Sequence, residues 1–203
     1  MEYIRRLCKH IDRIEGHQRS EIGQQIHDLS LVLMSQARMM IVDEAAEAHL
    51  RLAATVHASY QIVSSYIENE RYVLDLIQDV FCGINKRLMR IYTSLLLRFS
   101  LNPFKTMIRV SLAWIERSYG DRFSFRFAGD EESQFLISVE TCLFHDYFVK
   151  HGVPELTQVF CAWDNNWAEV VNPDVHGFTF HRGETIATGA DVCDFRFSLL
   201  PKE

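Results

Sequence analysis

The strongest constraint on this chain is a change of punctuation at Gly120. The first 120 residues carry one proline, Pro103, and four glycines, Gly16, Gly23, Gly83 and Gly120. Helix breakers are that rare only where helices run long. Apolar residues in this stretch recur at helical spacing. Ile22, Ile26, Leu29, Leu33 and Met40 fall on one stripe, and Val73, Ile77, Val80, Ile84, Leu88, Ile91 and Leu95 form a second. The second run predicts one helix of six turns, ended at Ser100–Asn102 because Pro103 restricts the residue before it and lacks a donor. A further helix carries Phe104, Ile108, Leu112 and Ile115 and stops near Tyr119. Residues 1–120 therefore read as a helical bundle or a set of helical hairpins. The seven-residue stripe serves as a monomer core, with a homodimer seam through the N-terminal helices as the alternative.

Beyond Gly120 the period switches to two. Phe123–Phe127 and Phe135–Val139 read as strands around a turn at Gly129–Ser133, and Gly177–Arg182 and Val192–Leu199 are strand-like again. Between them, Phe144–Lys150 reads as a short helix ended by Gly152, and Pro154–Ala168 as a second helix with Pro154 in its first turn. Residues 121–203 thus form a ββααββ antiparallel-sheet domain, and the fold class is α+β.

Composition excludes several functions. The net charge of −6 offers no basic footprint for nucleic acid and no general attraction to anionic lipid, so neither nucleic acid nor a membrane is expected as a partner. The five cysteines, at 8, 82, 142, 161 and 193, are odd in number and widely spaced, and Met1–Arg13 lacks the apolar core of a signal peptide. Reduced thiols and a cytoplasmic location are the expectation.

Chemistry-bearing residues concentrate in the last third. On a helix over Pro154–Ala168, Leu156, Phe160, Trp163 and Trp167 form an apolar stripe, while Thr157, Cys161 and Asp164 form a second along its flank. The strand VCDFRFSL turns Cys193, Phe195, Phe197 and Leu199 to one face and Asp194, Arg196 and Ser198 to the other. Cys142 and His145 stand three residues apart, the minimum for a shared metal or for thiol activation. They are one close ligand pair where zinc sites have two, so neither a metal nor another cofactor is expected. Arg182 follows Phe178 and Phe180 on one strand face, where a guanidinium needs an anion, either a substrate carboxylate or a partner such as Asp194 or Glu155.

In the Cys142–His145 segment, GVPELTQVFCAWD (Gly152–Asp164), GFTFHRGETIATG (Gly177–Gly189) and CDFRF (Cys193–Phe197), the chain resembles the L-2-amino-thiazoline-4-carboxylic acid hydrolases, over about residues 120–203. The resemblance implies a cofactor-independent hydrolase that opens a small cyclic amidine at its ring carbon. It makes Cys193 or Cys161 the nucleophile, with His145, Asp164 and Asp194 as proton carriers. Arg182 becomes the substrate carboxylate clamp, and Glu155 and Thr157 further substrate contacts. Between the thiols, Cys193 is favoured, because the carboxylate of Asp164 would raise the pKa of Cys161. A ring-closing or lactam-processing enzyme, or a non-enzymatic module binding a small ligand or zinc, are the alternatives.

Overall fold

A computed structural model describes residues 2–11 and 16–201. Met1 and residues 12–13 of the N-terminal segment read above lie outside the described residues. The helices are α1 (Glu2–His10), α2 (Gly16–Gln36), α3 (Glu44–Ser64), α4 (Glu70–Gly83), α5 (Lys86–Arg98) and α6 (Pro103–Ser118). There follow β1 (Ser124–Gly129), β2 (Gln134–Thr141), α7 (Leu143–Lys150), α8 (Thr157–Trp163), α9 (Asn165–Ala168), α10 (Pro173–His176), β3 (Phe178–Arg182) and β4 (Cys193–Leu199). This is the expected α+β architecture of helices followed by an antiparallel sheet. Among the described residues no helix is long and apolar enough to cross a membrane.

The chain divides into two compact units, Met1–Ile84 with Leu143–Trp163, and Asn85–Cys142 with Asp164–Glu203. The first is helical and built around α3. Its N-cap Asp43 accepts a hydrogen bond from the Ala46 amide at 2.6 Å, satisfying a donor that the first turn leaves open. Ala46, Ala53, Ala54 and Ala58 are fully buried, and side chains this small let neighbouring helices approach closely. α2, α4 and α7 pack on α3, and α8 packs on α4, where Phe81 and Phe160 meet with ring centroids 4.8 Å apart. His57 ties α3 to α7. Its Nδ1 lies 3.3 Å from the Tyr147 hydroxyl and its Nε2 2.8 Å from the Gln61 amide.

The second unit holds the sheet, ordered β1-β2-β4-β3 with every neighbour antiparallel. One face carries Phe125, Phe127, Phe135, Phe180, Phe195 and Phe197 in register, and α5 and α6 contribute Leu97, Phe104, Met107 and Ile108 to the core packed with it. Fully buried Phe178 meets Phe104 edge to face at 6.0 Å. The β1–β2 turn is closed by Asp130, whose carboxylate accepts from the amides of Glu132 and Ser133. Gly129 enters that turn at φ +87°, where a Cβ would stand 2.1 Å from the Gln134 carbonyl, so only glycine fits.

Two sequence expectations are corrected. The run from Val73 to Leu95 is two helices, because Asn85 adopts a left-handed conformation (φ 60°) just after Gly83. Asn tolerates that conformation better than other side chains, and hydrophobic periodicity does not register it. Val73, Ile77 and Val80 are buried, whereas Leu88, Ile91 and Leu95 are exposed. Likewise Pro154–Ala168 is not one helix but a 3-10 turn at Pro154–Leu156, then α8, then α9, with Asp164 at the cap between the last two. Asp164, Asn165 and Asn166 compete with the backbone for hydrogen bonds and favour such a break. Thr157 is wholly buried, Cys161 is half-buried, and Asp164 lies past the end of α8.

Phe178→Ala should cost about 3–5 kcal/mol, a clear drop in urea midpoint, while Phe127→Ala on a half-exposed ring should cost far less. His57 generates a pH prediction. Burial, aided by His151, lowers its pKa to about 4, so the unfolded chain takes up its proton first as pH falls below about 6.5. Its contribution, present above that pH, should fade by up to about 1.4 kcal/mol per unit between pH 6.5 and 4. Urea titrations of the wild type and His57→Gln across this window should show a steeper loss for the wild type.

Candidate functional site

The site candidates divide between the two units. Glu155, Thr157, Cys161 and His145 belong to the first; Asp164, Arg182, Cys193 and Asp194 belong to the second.

In the first unit, His145 stands on α7 with Nδ1 3.5 Å from the Thr157 hydroxyl, which a residue in the first turn of α8 supplies. Phe144 stacks on Phe160 at 3.9 Å, fixing α7 against the helix that carries Cys161. Glu155, in the 3-10 turn before α8, is close enough to Tyr60 to raise its phenol pKa, after burial and Glu70.

The second unit gathers a tighter group. Arg182, the last residue of β3, places Nη1 3.1 Å from Oδ2 of Asp164, and their side chains are only 17% and 21% exposed. The guanidinium also lies 5.7 Å from the ring centroid of Phe195, its cross-strand neighbour. The arginine thus finds an anion, but it is Asp164 rather than Asp194 or Glu155. Asp194 was the other candidate in this unit, but strand alternation turns it to the opposite face, where it accepts a 2.6 Å hydrogen bond from Ser138 directly across the ladder. Burial raises the carboxyl pKa of Asp164 to about 6, against the opposing pull of Arg182 and a hydrogen bond from Trp167. Trp167 is held in turn by Phe180, at 4.6 Å, and by Phe197.

Cys193 opens β4 and is buried. Its sulfur accepts the Ile186 amide at 3.2 Å. That donor is presented by a 3-10 turn, Ile186–Thr188, which Thr185 and Thr188 brace from both sides and Gly189 ends at φ +99°. Burial pushes the thiol pKa up; the Ile186 amide and Arg182 pull it down, while Asp164 and Asp194 add to the rise. The thiol is therefore protonated at neutral pH, within the field of the Asp164 carboxyl group, which titrates near pH 6. Among the described residues no three His, Cys, Asp or Glu side chains gather closely enough to hold a metal ion.

Sequence reasoning missed the Ile186 amide, Trp167 and Ser138. The GETIATG motif was a signal for the first, since a glycine closing a Thr-flanked turn marks a fixed backbone donor. Ser138 stood out as the lone hydroxyl on the strand face opposite Ile137 and Val139.

The group predicts its own titration. Carboxyl-detected NMR should find one Asp with a midpoint near pH 6, absent in Asp164→Asn and moved higher still in Arg182→Gln, which removes the cation that holds it down. An ordinary carboxylate midpoint for Asp164 would contradict this reading of the site.

A family model described as L-2-amino-thiazoline-4-carboxylic acid hydrolase matches residues 48–197. The match reaches back through α3 to α6, well ahead of the segments that carry the resemblance in sequence. No curated protein matches the chain. Two solved structures show a low likeness. One is an H-NOX protein from S. oneidensis in the Fe(II)NO ligation state, at 12% identity and TM-score 0.32, over 87% of this chain and 98% of that one. The other is a mutant Fe(II) unliganded H-NOX protein from K. algicida, at 9% identity and TM-score 0.35, over 99% and 97%. At these scores the likeness carries no argument about this chain.

Proposed function

The chain belongs to the L-2-amino-thiazoline-4-carboxylic acid hydrolase family, and on that premise we propose that it opens a small cyclic amidine of the 2-aminothiazoline-4-carboxylate kind, with Cys193, Asp164 and Arg182 as its working groups. The observation that supports the reading is the Arg182–Asp164 ion pair, its carboxyl pKa near 6, in the unit that also holds the buried thiol of Cys193.

The chemistry requires a nucleophile for the ring carbon between sulfur and nitrogen, a proton carrier, and a cation for the substrate carboxylate. Cys193 supplies the nucleophile. Its sulfur bonds to the ring carbon while its proton passes through Asp164 to the ring nitrogen. A carboxyl group poised near pH 6 both accepts and returns a proton at neutral pH, which one titrating at its ordinary value does poorly. The adduct breaks its bond to the ring sulfur, which leaves as a thiol with a proton carried by Asp164, and an isothiourea remains on Cys193. Water then adds to the same carbon and Cys193 departs as a thiol, so one water is consumed and a carbamoyl product forms. The Ile186 amide holds the sulfur in place through both steps. Arg182 keeps Asp164 oriented and offsets the negative charge that a substrate carboxylate brings beside it.

The test is turnover of 2-amino-thiazoline-4-carboxylate, read as appearance of a free thiol and of the carbamoyl product by mass spectrometry. Cys193→Ser should lower kcat by at least ~10³, about 4 kcal/mol of barrier, and Cys161→Ser should retain most of it. The rate should also rise through pH 6 as Asp164 ionises. Normal turnover by Cys193→Ser, or inactivity of the wild type on every small cyclic amidine tried, overturns the assignment.

A further inference from the structure

The exposed half of the broken stripe has no role in the site above. On α5 and its C-cap residue, Leu88, Ile91, Tyr92, Leu95 and Phe99 recur at i, i+3, i+4, i+7 and i+11, which is one helical face, and all are exposed. The opposite face, with Thr93 and Leu97, is the buried one. The apolar row ends in two large side chains held out into solvent, Phe99 at 78% exposure and Leu101 at full exposure. Their position is built rather than loose. The Ser100 hydroxyl lies 2.6 Å from that of Thr106 and accepts the Asn102 amide, while the Asn102 side chain caps α6 at the Lys105 amide.

Charge distinguishes the occupant. Between Lys86 and Arg117 the cations are Lys86, Arg87, Arg90, Arg98, Lys105, Arg109 and Arg117, and the lone anion is Glu116. The net charge of −6 hides this excess because the acids lie elsewhere in the sequence. Arg90 and Lys105 are paired with Glu169 and Glu132. Arg87, Arg98 and Arg109 are exposed, and Arg87 and Arg98, three turns apart, flank the same side of the stripe. At the turn, an open cleft of about 490 Å³ is lined by Leu96, Phe99 and Leu101 together with Lys105, Thr106 and Arg109. Apolar side chains bordered by cations fit acyl chains below a layer of phosphates. A second copy seated helix to helix would bring those arginines together, since α5 contains no Asp or Glu.

We propose that the α5–α6 hairpin docks on anionic lipid bilayers, with Phe99 and Leu101 entering the headgroup region and Arg87, Arg98 and Arg109 meeting lipid phosphates.

The test uses the full chain and sedimentation with phosphatidylcholine vesicles, with and without about one third phosphatidylglycerol. Cosedimentation is expected with the anionic vesicles and should weaken as salt rises. The double variant Phe99→Ser/Leu101→Ser should partition at least tenfold less. Arg98→Gln and Arg109→Gln should each cost about fivefold. These side chains are exposed, so circular dichroism should match the wild type and loss of binding cannot be ascribed to misfolding. Absence of binding, or equal binding by wild type and variants, overturns the proposal. So does a dimer in sedimentation equilibrium that Leu88→Ser or Phe99→Ser dissociates while vesicles remain unbound, which would assign the face to a second copy. Cyclic-amidine turnover is measured separately, so either reading can fail without the other.

Discussion

A four-stranded sheet with phenylalanines in register along one face is insoluble until that face is covered, and the second unit is organised around this requirement. α5 and α6 cover it with Leu97, Phe104, Met107 and Ile108, and Trp167 adds its ring against Phe180 and Phe197. The cover sets the electrostatics as well as the stability. Trp167 follows Asp164 by three residues, so anchoring the indole on the sheet brings the carboxyl group to Arg182 at the end of β3. The desolvation that raises Asp164 and Cys193 is the same exclusion of water that makes the aromatic layer favourable. The perturbed pKa values of these groups are therefore products of core packing, not additions to a finished fold.

Much of this was legible in the sequence, and the misses share a cause. The alternation of VCDFRFSL placed Cys193 and Asp194 on opposite faces because a strand's period admits no other arrangement. Helical stripes located the buried faces of α2 and α4 for the same reason. Periodicity failed where a single residue changed the backbone. Asn85 in a left-handed conformation leaves the 3.6-residue pattern of Val73–Leu95 unbroken on paper while redirecting the chain. Asp164 likewise sits in register with Thr157 and Cys161 as letters, yet marks a break between helices. The Arg182–Asp164 pair was not legible, because it joins residues that only tertiary packing brings together. The Ile186 amide could be read only indirectly, through the glycine that closes its Thr-flanked turn, since a backbone donor has no letter of its own.

Charge has a similar lesson of scale. A net value describes the field far from the molecule, whereas contact is decided within about a Debye length. The basic run of α5 and α6 lies within a chain whose overall sign is negative, and the isolated buried carboxyl group at Asp164 behaves unlike the many exposed ones.

Both compact units are sewn from separated stretches of chain. The first is complete only when Leu143–Trp163 has been added to the opening helices, and the second only when β4 has inserted between β2 and β3. β4 comes last of the four strands and occupies an interior place, pairing on both edges. During synthesis, β1 and β2 leave the ribosome behind α5 and α6 as a hairpin whose open β2 edge waits some fifty residues for β4. A nascent chain of this design is most adhesive midway through translation. Its dependence on chaperones should be set by how quickly those last strands arrive, rather than by the stability of the finished molecule.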